Sequence, residues 1–266
     1  MTAPDIMPLS PPDPLFVTQT IRVGTAGWSI PRQHSAFFAG EGSHLERYAN
    51  LLNCAEINSS FYRPHRRATY ARWAAATPEA FRFSVKAPKT ITHECGMAPD
   101  RAAVATFLDE VRCLGGKLGP ILFQLPPRQD FDGSRARAFL AMFRDLYPAG
   151  AAAFEPRHPA WFSPLADALL REFRIARVAA DPALAAEASR PAGYSGLRYF
   201  RLHGSPRMYY SSYSAGYIEQ LARTFHASES NCDLWCIFDN TASGAAIENA
   251  LTLSRSLAGR SASSSR

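Results

Sequence analysis

Lysine is scarce in this 266-residue chain, although charge is not. The sequence has 29 lysines and arginines against 23 aspartates and glutamates, a net charge of +6, yet its lysines are only Lys86, Lys89 and Lys117. The basic residues are dispersed, which favours a solvated basic surface and leaves nucleic-acid binding as an alternative. Two of the three lysines lie at the end of one predicted strand, and that strand is therefore of special interest.

Long apolar runs are also missing. No segment approaches the roughly 18 residues that a membrane span needs, so we predict no membrane interaction. Residues 1–20 lack the basic segment followed by an apolar stretch that is typical of secretion, and we expect a cytoplasmic protein. The hydrophobic content of 47% is enough to build a full core.

Cysteine is present in a number and spacing that exclude two classes of site. The five cysteines are an odd number in a chain that is not small, which argues against a disulfide framework. Cys232 and Cys236 form a CxxxC pair without a second Cys/His pair at zinc-finger spacing. We predict no metal site from these motifs, and the cofactor, if any, is unknown.

The chain divides into three parts. Residues 1–20 contain five prolines and are predicted to be a flexible N-terminal arm, and residues 258–266 are Ser-rich and are predicted to be a disordered tail. Between them, residues 21–257 alternate short β-prone runs with stretches of helical periodicity. The eight β-prone runs are 21–28, 54–62, 81–87, 120–125, 151–157, 175–180, 197–203 and 233–240.

This alternation predicts an α/β fold with parallel strands, and eight repeats predict a single (β/α)₈ TIM-type barrel. A doubly wound open sheet is the alternative. That fold favours a glycine-rich phosphate loop after the first strand, but Gly24 and Gly27 are followed by Trp28, Ser29 and Ile30 rather than by a GxGxxG helix start. The weakest repeat is the sixth, because residues 182–192 are short, Ala-rich and interrupted by Pro191.

The carboxyl ends of barrel strands carry active-site residues, and alternate residues of each strand point inward. Four side chains at such positions are predicted to be catalytic: Glu56, Lys86, Glu155 and His203. Burial would raise the pKa of either glutamate toward that of a general acid or base, and it would lower the pKa of Lys86 as a Schiff-base lysine requires. An ion-paired Lys86 facing one of the glutamates is the alternative.

Further polar residues at the same strand ends are predicted to bind substrate. They are Asn58, His93, Gln124, Arg157, Arg201, Gly204 and Asn240. Tyr199, Arg201 and His203 share one face of the seventh strand. The start of the last helix, opened by Gly244, is a position that favours anions.

Seven segments resemble the YecE-like family, also called domain of unknown function 72. They are IRVGTAGW, EINSSFYRP, FRFSVKAPKTITHE, LGPILFQLPP, FEPRHPAWF, YFRLHG and IFDNTASGAAIENAL. The resemblance covers about residues 21–255 and implies a TIM-barrel fold, but it implies no reaction. The polar strand ends named above match the family's polar positions, whereas Asp239 stands where asparagine is common.

Three functions are compatible with these residues. We favour an enzyme of unknown reaction class that acts on an anionic or phosphorylated small molecule. The first alternative is a metal-dependent phosphodiesterase or nuclease-like hydrolase with ligands drawn from Glu56, His93, Glu155, His158, Asp181 and His203. The second is a non-catalytic nucleic-acid-binding protein that stacks bases on Trp28, Phe61, Tyr62, Trp161, Tyr209 and Tyr210. The oligomeric state is not predicted.

Overall fold

Strands and helices alternate along the chain in the computed structural model, which describes residues 21–228 and 232–263. The strands are β1 (Ile21–Thr25), β2 (Cys54–Ile57), β3 (Arg82–Lys86), β4 (Leu118–Gln124), β5 (Ala152–Glu155), β6 (Ala176–Arg177), β7 (Ala179–Asp181), β8 (Ala192–Gly193), β9 (Leu197–Leu202) and β10 (Asp233–Phe238). The α-helices are α1 (His44–Ala49), α2 (Arg67–Ala75), α3 (Lys89–Thr92), α4 (Arg101–Val111), α5 (Gly133–Leu146), α6 (Pro164–Glu172), α7 (Ala215–His226) and α8 (Ala245–Ser263).

The strands form two sheets in which almost all pairs are parallel. One sheet has the order β1-β10-β9-β7, and the other has the order β2-β3-β4-β5-β6-β8. The exception is β8, which pairs antiparallel with β6. A mixed α/β fold with parallel sheets is therefore confirmed, and every one of the eight predicted β-prone runs contains a strand.

Alternation along the strands separates a face that packs in the large hydrophobic cluster from a second face, which holds a smaller apolar cluster and the buried charged residues. In β9, Phe200 and Leu202 belong to the large hydrophobic cluster that also contains helix residues such as Leu108 and Phe225. Tyr199 and Arg201, on the other face of β9, are buried away from that cluster and make polar contacts with β2. The packing of helices on one face thus fixes which side chains of the strands meet on the other face.

Gly24 allows β1 and β2 to approach closely. A Cβ atom at this position would lie 2.1 Å from the carbonyl oxygen of Cys54, a distance that no side chain can occupy. A parallel bridge joins Ala26, which directly follows β1, to Glu56 in β2, and the amide of Gly27 donates to the carbonyl of Glu56 at 2.8 Å. The first strand of one sheet therefore lies beside the first strand of the other.

Two boundaries and the content of the sixth repeat differ from the sequence-based predictions. The strand predicted over 54–62 ends at Ile57, because a 3₁₀ turn (Ser59–Phe61) follows and the Ser60 hydroxyl lies 2.8 Å from the carbonyl oxygen of Ile57. The sixth repeat holds only a short 3₁₀ turn (Ala186–Ser189) between two prolines, and β8 then folds back on β6. Helix α8 continues to Ser263, six residues past the predicted boundary at 257, since no proline interrupts it.

Two predicted segments lie outside the described residues: the arm 1–20, and residues 264–266 of the tail. Within the described ranges, no helix is long and apolar enough to cross a membrane.

Candidate active site

Buried charged side chains from four strands meet at the carboxyl ends of the two sheets. We call this group the charge cluster, and it consists of Glu56, Glu155, Arg201, His203 and Asp239. All five are less than one-tenth exposed. Charges at this depth are tolerated only when each has close partners of opposite sign.

Arg201 lies at the centre of the charge cluster and contacts all three carboxylates. Its Nη2 atom donates to Glu56 Oε1 at 2.8 Å and its Nε atom donates to Glu56 Oε2 at 3.1 Å. Its Nη1 atom donates to Glu155 Oε2 at 3.2 Å, and Nη2 is also 3.1 Å from Asp239 Oδ2. Burial alone would lower the pKa of Arg201, but Asp239 and the two glutamates raise it well above its ordinary value.

His203 joins two carboxylates through its two ring nitrogens. Nε2 lies 2.7 Å from Glu155 Oε1, and Nδ1 lies 3.0 Å from Asp239 Oδ2. A carboxylate can only accept hydrogen bonds, so both nitrogens carry a proton and the ring is an imidazolium. Burial lowers the pKa of His203, but the charge of Glu155 and the hydrogen bond that His203 donates to Asp239 outweigh burial and raise it.

Glu155 is held as an anion, which corrects the prediction that burial would raise its pKa. Burial acts in that direction, but His203, Arg201 and Arg157 together lower the pKa far below its ordinary value. Glu155 Oε1 also accepts from Gln124 Nε2 at 3.1 Å and from Arg157 Nη1 at 3.3 Å. With all these donors in place, Glu155 orients its neighbours rather than carrying a proton.

Lys86 lies beside the charge cluster but forms no ion pair with a carboxylate in the described part of the chain. The alternative of a lysine paired with Glu56 or Glu155 is therefore wrong. Its Nζ atom instead lies 4.0 Å from the centre of the Phe61 ring, and the residue is 6% exposed. Burial and the nearby Arg201 lower its pKa to about 8, although Glu56, Glu155 and Asp239 oppose them.

Ser84 and Tyr199, which were not predicted as site residues, also belong to the site, where they lie next to Glu56. The Tyr199 hydroxyl lies 2.9 Å from Glu56 Oε2 and 2.8 Å from Ser84 Oγ. Both residues share the strand parity of predicted site residues, Ser84 with Lys86 and Tyr199 with Arg201. That shared parity is the signal that could have identified them.

Tyr209, which the sequence suggested only as a base-stacking aromatic, lies against His203. Their ring centres are 5.8 Å apart in an edge-to-face arrangement, and Tyr209 has a φ of +68°. This left-handed backbone conformation is unfavourable for a bulky residue, and such conformations occur preferentially at functional sites. Burial, followed by the charge of Asp239, raises the pKa of Tyr209.

The remaining predicted binding residues fall into two groups. His93 contacts the site indirectly, because its ring packs against Phe61 with the ring centres 4.9 Å apart. Asn58 follows β2, and its buried Oδ1 atom accepts no hydrogen bond from the described residues.

Gly204 and Asn240 instead hold the loop that follows β9. The amide of Gly204 donates to the Tyr213 hydroxyl, and Asn240 Nδ2 donates to Ser211 and Asn249. A Cβ atom on Gly204, whose φ is +94°, would lie 2.8 Å from the Ser211 carbonyl oxygen.

The alternative based on a metal receives no geometric support, and that based on base stacking loses part of its residues. Within residues 21–228 and 232–263, no three histidine, cysteine, aspartate or glutamate side chains are grouped to hold a metal ion. Asp181 accepts from the Tyr213 hydroxyl, and His158 Nδ1 accepts from the backbone of Ala160. Trp161 is fully buried and cannot stack on a base, whereas Tyr62, Tyr209 and Tyr210 are exposed, so stacking on these residues stays a prediction.

Comparison with known proteins assigns this chain to a family. The family described as "Protein of unknown function DUF72" matches residues 22–265. The chain belongs to the DUF72 family. It is 31% identical over 144 residues to the UPF0759 protein YecE of Escherichia coli K12, an alignment covering 54% of this chain and 50% of YecE. It is 28% identical over 154 residues to the UPF0759 protein YunF of Bacillus subtilis, covering 54% of this chain and 53% of YunF.

Solved structures of DUF72 proteins have the same fold. A member from Enterococcus faecalis V583 superposes with a TM-score of 0.77 at 23% identity and covers 90% of this chain and 96% of its own. A member from Thermotoga maritima gives a TM-score of 0.75 at 21% identity and covers 90% of this chain and 100% of its own. The match to the two curated relatives, by contrast, spans about half of their length. The predicted resemblance is thus confirmed, and it carries no reaction with it.

Proposed function

We propose that this DUF72 chain is an enzyme that acts on an anionic or phosphorylated small molecule at the carboxyl ends of its strands. The observation that carries the proposal is that the buried carboxylates of the site have cationic partners whereas one buried cation has no anionic partner. Each carboxylate of the charge cluster already has Arg201 as a partner, whereas Lys86 has no carboxylate partner in the described part of the chain. A buried cation without a counterion favours an anionic ligand.

The same conclusion follows from the sum of charges at the site. The three carboxylates of the charge cluster face Arg201 and an imidazolium at His203, and Arg157 and Lys86 lie beside them. One positive charge is therefore in excess. Arg157 retains a side-chain exposure of 11%, which leaves its guanidinium able to contact a ligand at the surface of the cluster.

The proposal includes closure of the two sheets into one (β/α)₈ barrel. The contact of β1 with β2 at Gly24 supports closure on one side. On the other side, a single residue, Val178, separates β6 from β7. The amide of Val178 donates to the carbonyl oxygen of Phe154 in β5 at 2.8 Å, and β7 pairs with β9, so this segment connects the two sheets. Side chains from β2, β5, β9 and the end of β10 can meet in the charge cluster if these strands surround it.

Roles follow from the contacts. Lys86 and Arg157 bind the anionic group of the substrate, and Asn58 Oδ1 accepts from a substrate donor. Glu56 and Glu155 keep Arg201 and His203 fixed and charged, which preorganises the site, and the excess positive charge is supplied by Lys86 and Arg157. Lys86 also supplies a base, since its pKa of about 8 leaves a fraction of the amine neutral near pH 7.

Binding of inorganic phosphate tests the proposal. We expect calorimetry at pH 7 to detect phosphate binding, and crystals soaked in phosphate to hold the ion beside Lys86 and Arg157. Lys86→Gln and Arg157→Gln should each weaken binding by about tenfold or more. Arg137→Gln, which removes an exposed arginine paired with Glu172, is the matched control and should leave binding unchanged. No ion at saturating phosphate, together with no calorimetric signal, would overturn the proposal.

A further inference from the structure

We propose that Lys86 is a nucleophile and forms an imine with an aldehyde or ketone group of its substrate. The inference rests on the proposed function and narrows the substrate to an anionic carbonyl compound. In the described ranges, Lys86 is the only lysine whose side chain is buried among the charged residues of the site.

The surroundings of Lys86 keep the amine in place without neutralising it through an ion pair. The Ser60 hydroxyl donates to the Lys86 carbonyl at 2.6 Å and ties the end of β3 to the turn after β2. That turn also supplies Phe61, whose ring lies 4.0 Å from Nζ. The nearby carboxylates Glu56 and Glu155 are directed to Arg201. Nζ therefore faces an aromatic ring rather than a carboxylate, and its lone pair is available once the proton is lost.

Loss of that proton is facilitated by the same surroundings. Burial and Arg201 lower the pKa of Lys86 to about 8, while the three carboxylates of the charge cluster act in the opposite direction. At pH 7 about one-tenth of an amine with this pKa is neutral, compared with roughly one in 2,500 for an ordinary lysine. A neutral amine is the species that attacks a carbonyl carbon.

The covalent step balances without an oxidant or a reductant. The Nζ lone pair forms a bond to the carbonyl carbon, and the carbonyl oxygen takes up the electron pair of the broken π bond. The oxygen then leaves as water, and its two hydrogens are equivalent to the two lost by the neutral amine. His93 is suited to carry the proton between them, because it contacts Phe61 and because burial, Lys86 and Arg128 lower its pKa.

Reductive trapping with glyoxylate and cyanoborohydride tests the inference. Glyoxylate carries an aldehyde beside a carboxylate, and reduction of its imine leaves a stable carboxymethyl group that peptide mapping can locate. The other lysines of the chain are internal controls. Lys89 is half exposed and pairs with Glu94, and Lys117 Nζ donates to the carbonyl of Ala74. At pH 7 we expect Lys86 to be modified at least about tenfold faster than Lys89.

A charge-conserving variant separates the inference from the proposed function. Lys86→Arg should bind inorganic phosphate but show no rapidly trapped group, and phosphate should slow the trapping of Lys86 in the unaltered protein. Equal modification of Lys86 and Lys89, with phosphate binding intact, would overturn the imine and leave the proposed function standing. Absence of phosphate binding as well would overturn both. Rapid trapping that phosphate does not slow would overturn the assignment of an anionic carbonyl substrate.

Discussion

Arg201 and Glu56, 145 positions apart in the sequence, form a two-point ion pair through Nη2–Oε1 at 2.8 Å and Nε–Oε2 at 3.1 Å. Neither side chain is more than 1% exposed. A pair this deep is not a large source of stability in itself, because both charges lose their hydration. It is instead a constraint, since the removal of Arg201 leaves Glu56 as a buried charge without an ion-pair partner among the described residues.

The first prediction concerns that constraint. Arg201→Met should lower the free energy of unfolding by about 3–5 kcal/mol, because Glu56 would lose its ion-pair partner and Glu155 would lose one of its three cationic partners. Urea titration at pH 7 measures the change. The loss should be smaller when Glu56→Gln is already present, since one buried charge is then gone. A loss no larger than that of Arg137→Met, on the exposed Arg137–Glu172 pair, would contradict the prediction.

The second prediction is that His203 is an imidazolium at neutral pH. Nitrogen-detected NMR at pH 7.5 should find protons on both ring nitrogens, because each faces a carboxylate oxygen. His65 is the control in the same sample, since burial and Arg63 lower its pKa and the ring should be neutral. Asp239→Asn should lower the pKa of His203 by removing one of its two anionic partners.

The raised pKa of His203 also has a consequence for stability. The folded protein binds this proton more tightly than the unfolded chain, whose histidines titrate near 6.5. The stabilisation is complete below about pH 6.5 and is lost as the pH rises through the raised value. The difference in unfolding free energy between the unaltered protein and His203→Gln should therefore shrink with increasing pH. A difference that stays constant from pH 6 to pH 9 would contradict this account.

Much of the site could be predicted because strand parity is visible in the sequence. Arg201 and His203 are two positions apart on a run whose intervening residues are apolar, so both were predicted to share a face, and both enter the charge cluster. Glu56 and Glu155 were predicted in the same way. Parallel strands bring their carboxyl ends to one edge, and residues from distant segments then meet.

The remaining features of the site depend on distances between side chains, which strand parity does not specify. The pKa of Glu155 was expected to rise, because burial is foreseeable and the three cationic neighbours that reverse its effect are not. Pairing of Lys86 with a carboxylate, the alternative to its catalytic role, does not form, because Arg201 occupies both glutamates. The left-handed conformation of Tyr209 lies in a loop, where no periodicity indicates the position of a side chain.

The third prediction tests the approach of β1 to β2. Gly24→Ala should lower the free energy of unfolding by about 2 kcal/mol or more, because the new methyl group would occupy the position of the Cys54 carbonyl. Gly216→Ala in α7 is the matched control, since a Cβ atom there meets no atom within 4 Å and alanine favours a helix. Equal stability of the two variants in urea would show that the two strands are not held at this distance.

The fourth prediction is that Lys86 lowers the free energy of unfolding at neutral pH although it contributes to ligand binding. A folded-state pKa of about 8, below the ordinary lysine value of about 10.4, means that the unfolded chain binds this proton more tightly. Lys86→Met, which keeps an unbranched chain against Phe61, should therefore raise the free energy of unfolding by on the order of 1–3 kcal/mol at pH 7. The advantage should be constant below about pH 8 and decline between about pH 8 and pH 10.4, where the unaltered protein gains stability. Urea titrations of both proteins across this range, with phosphate binding measured in parallel, should find a variant that is more stable and binds less. A variant that is less stable at every pH would mean that the folded protein already stabilises the ammonium group of Lys86. The main argument for an anionic ligand would then be wrong.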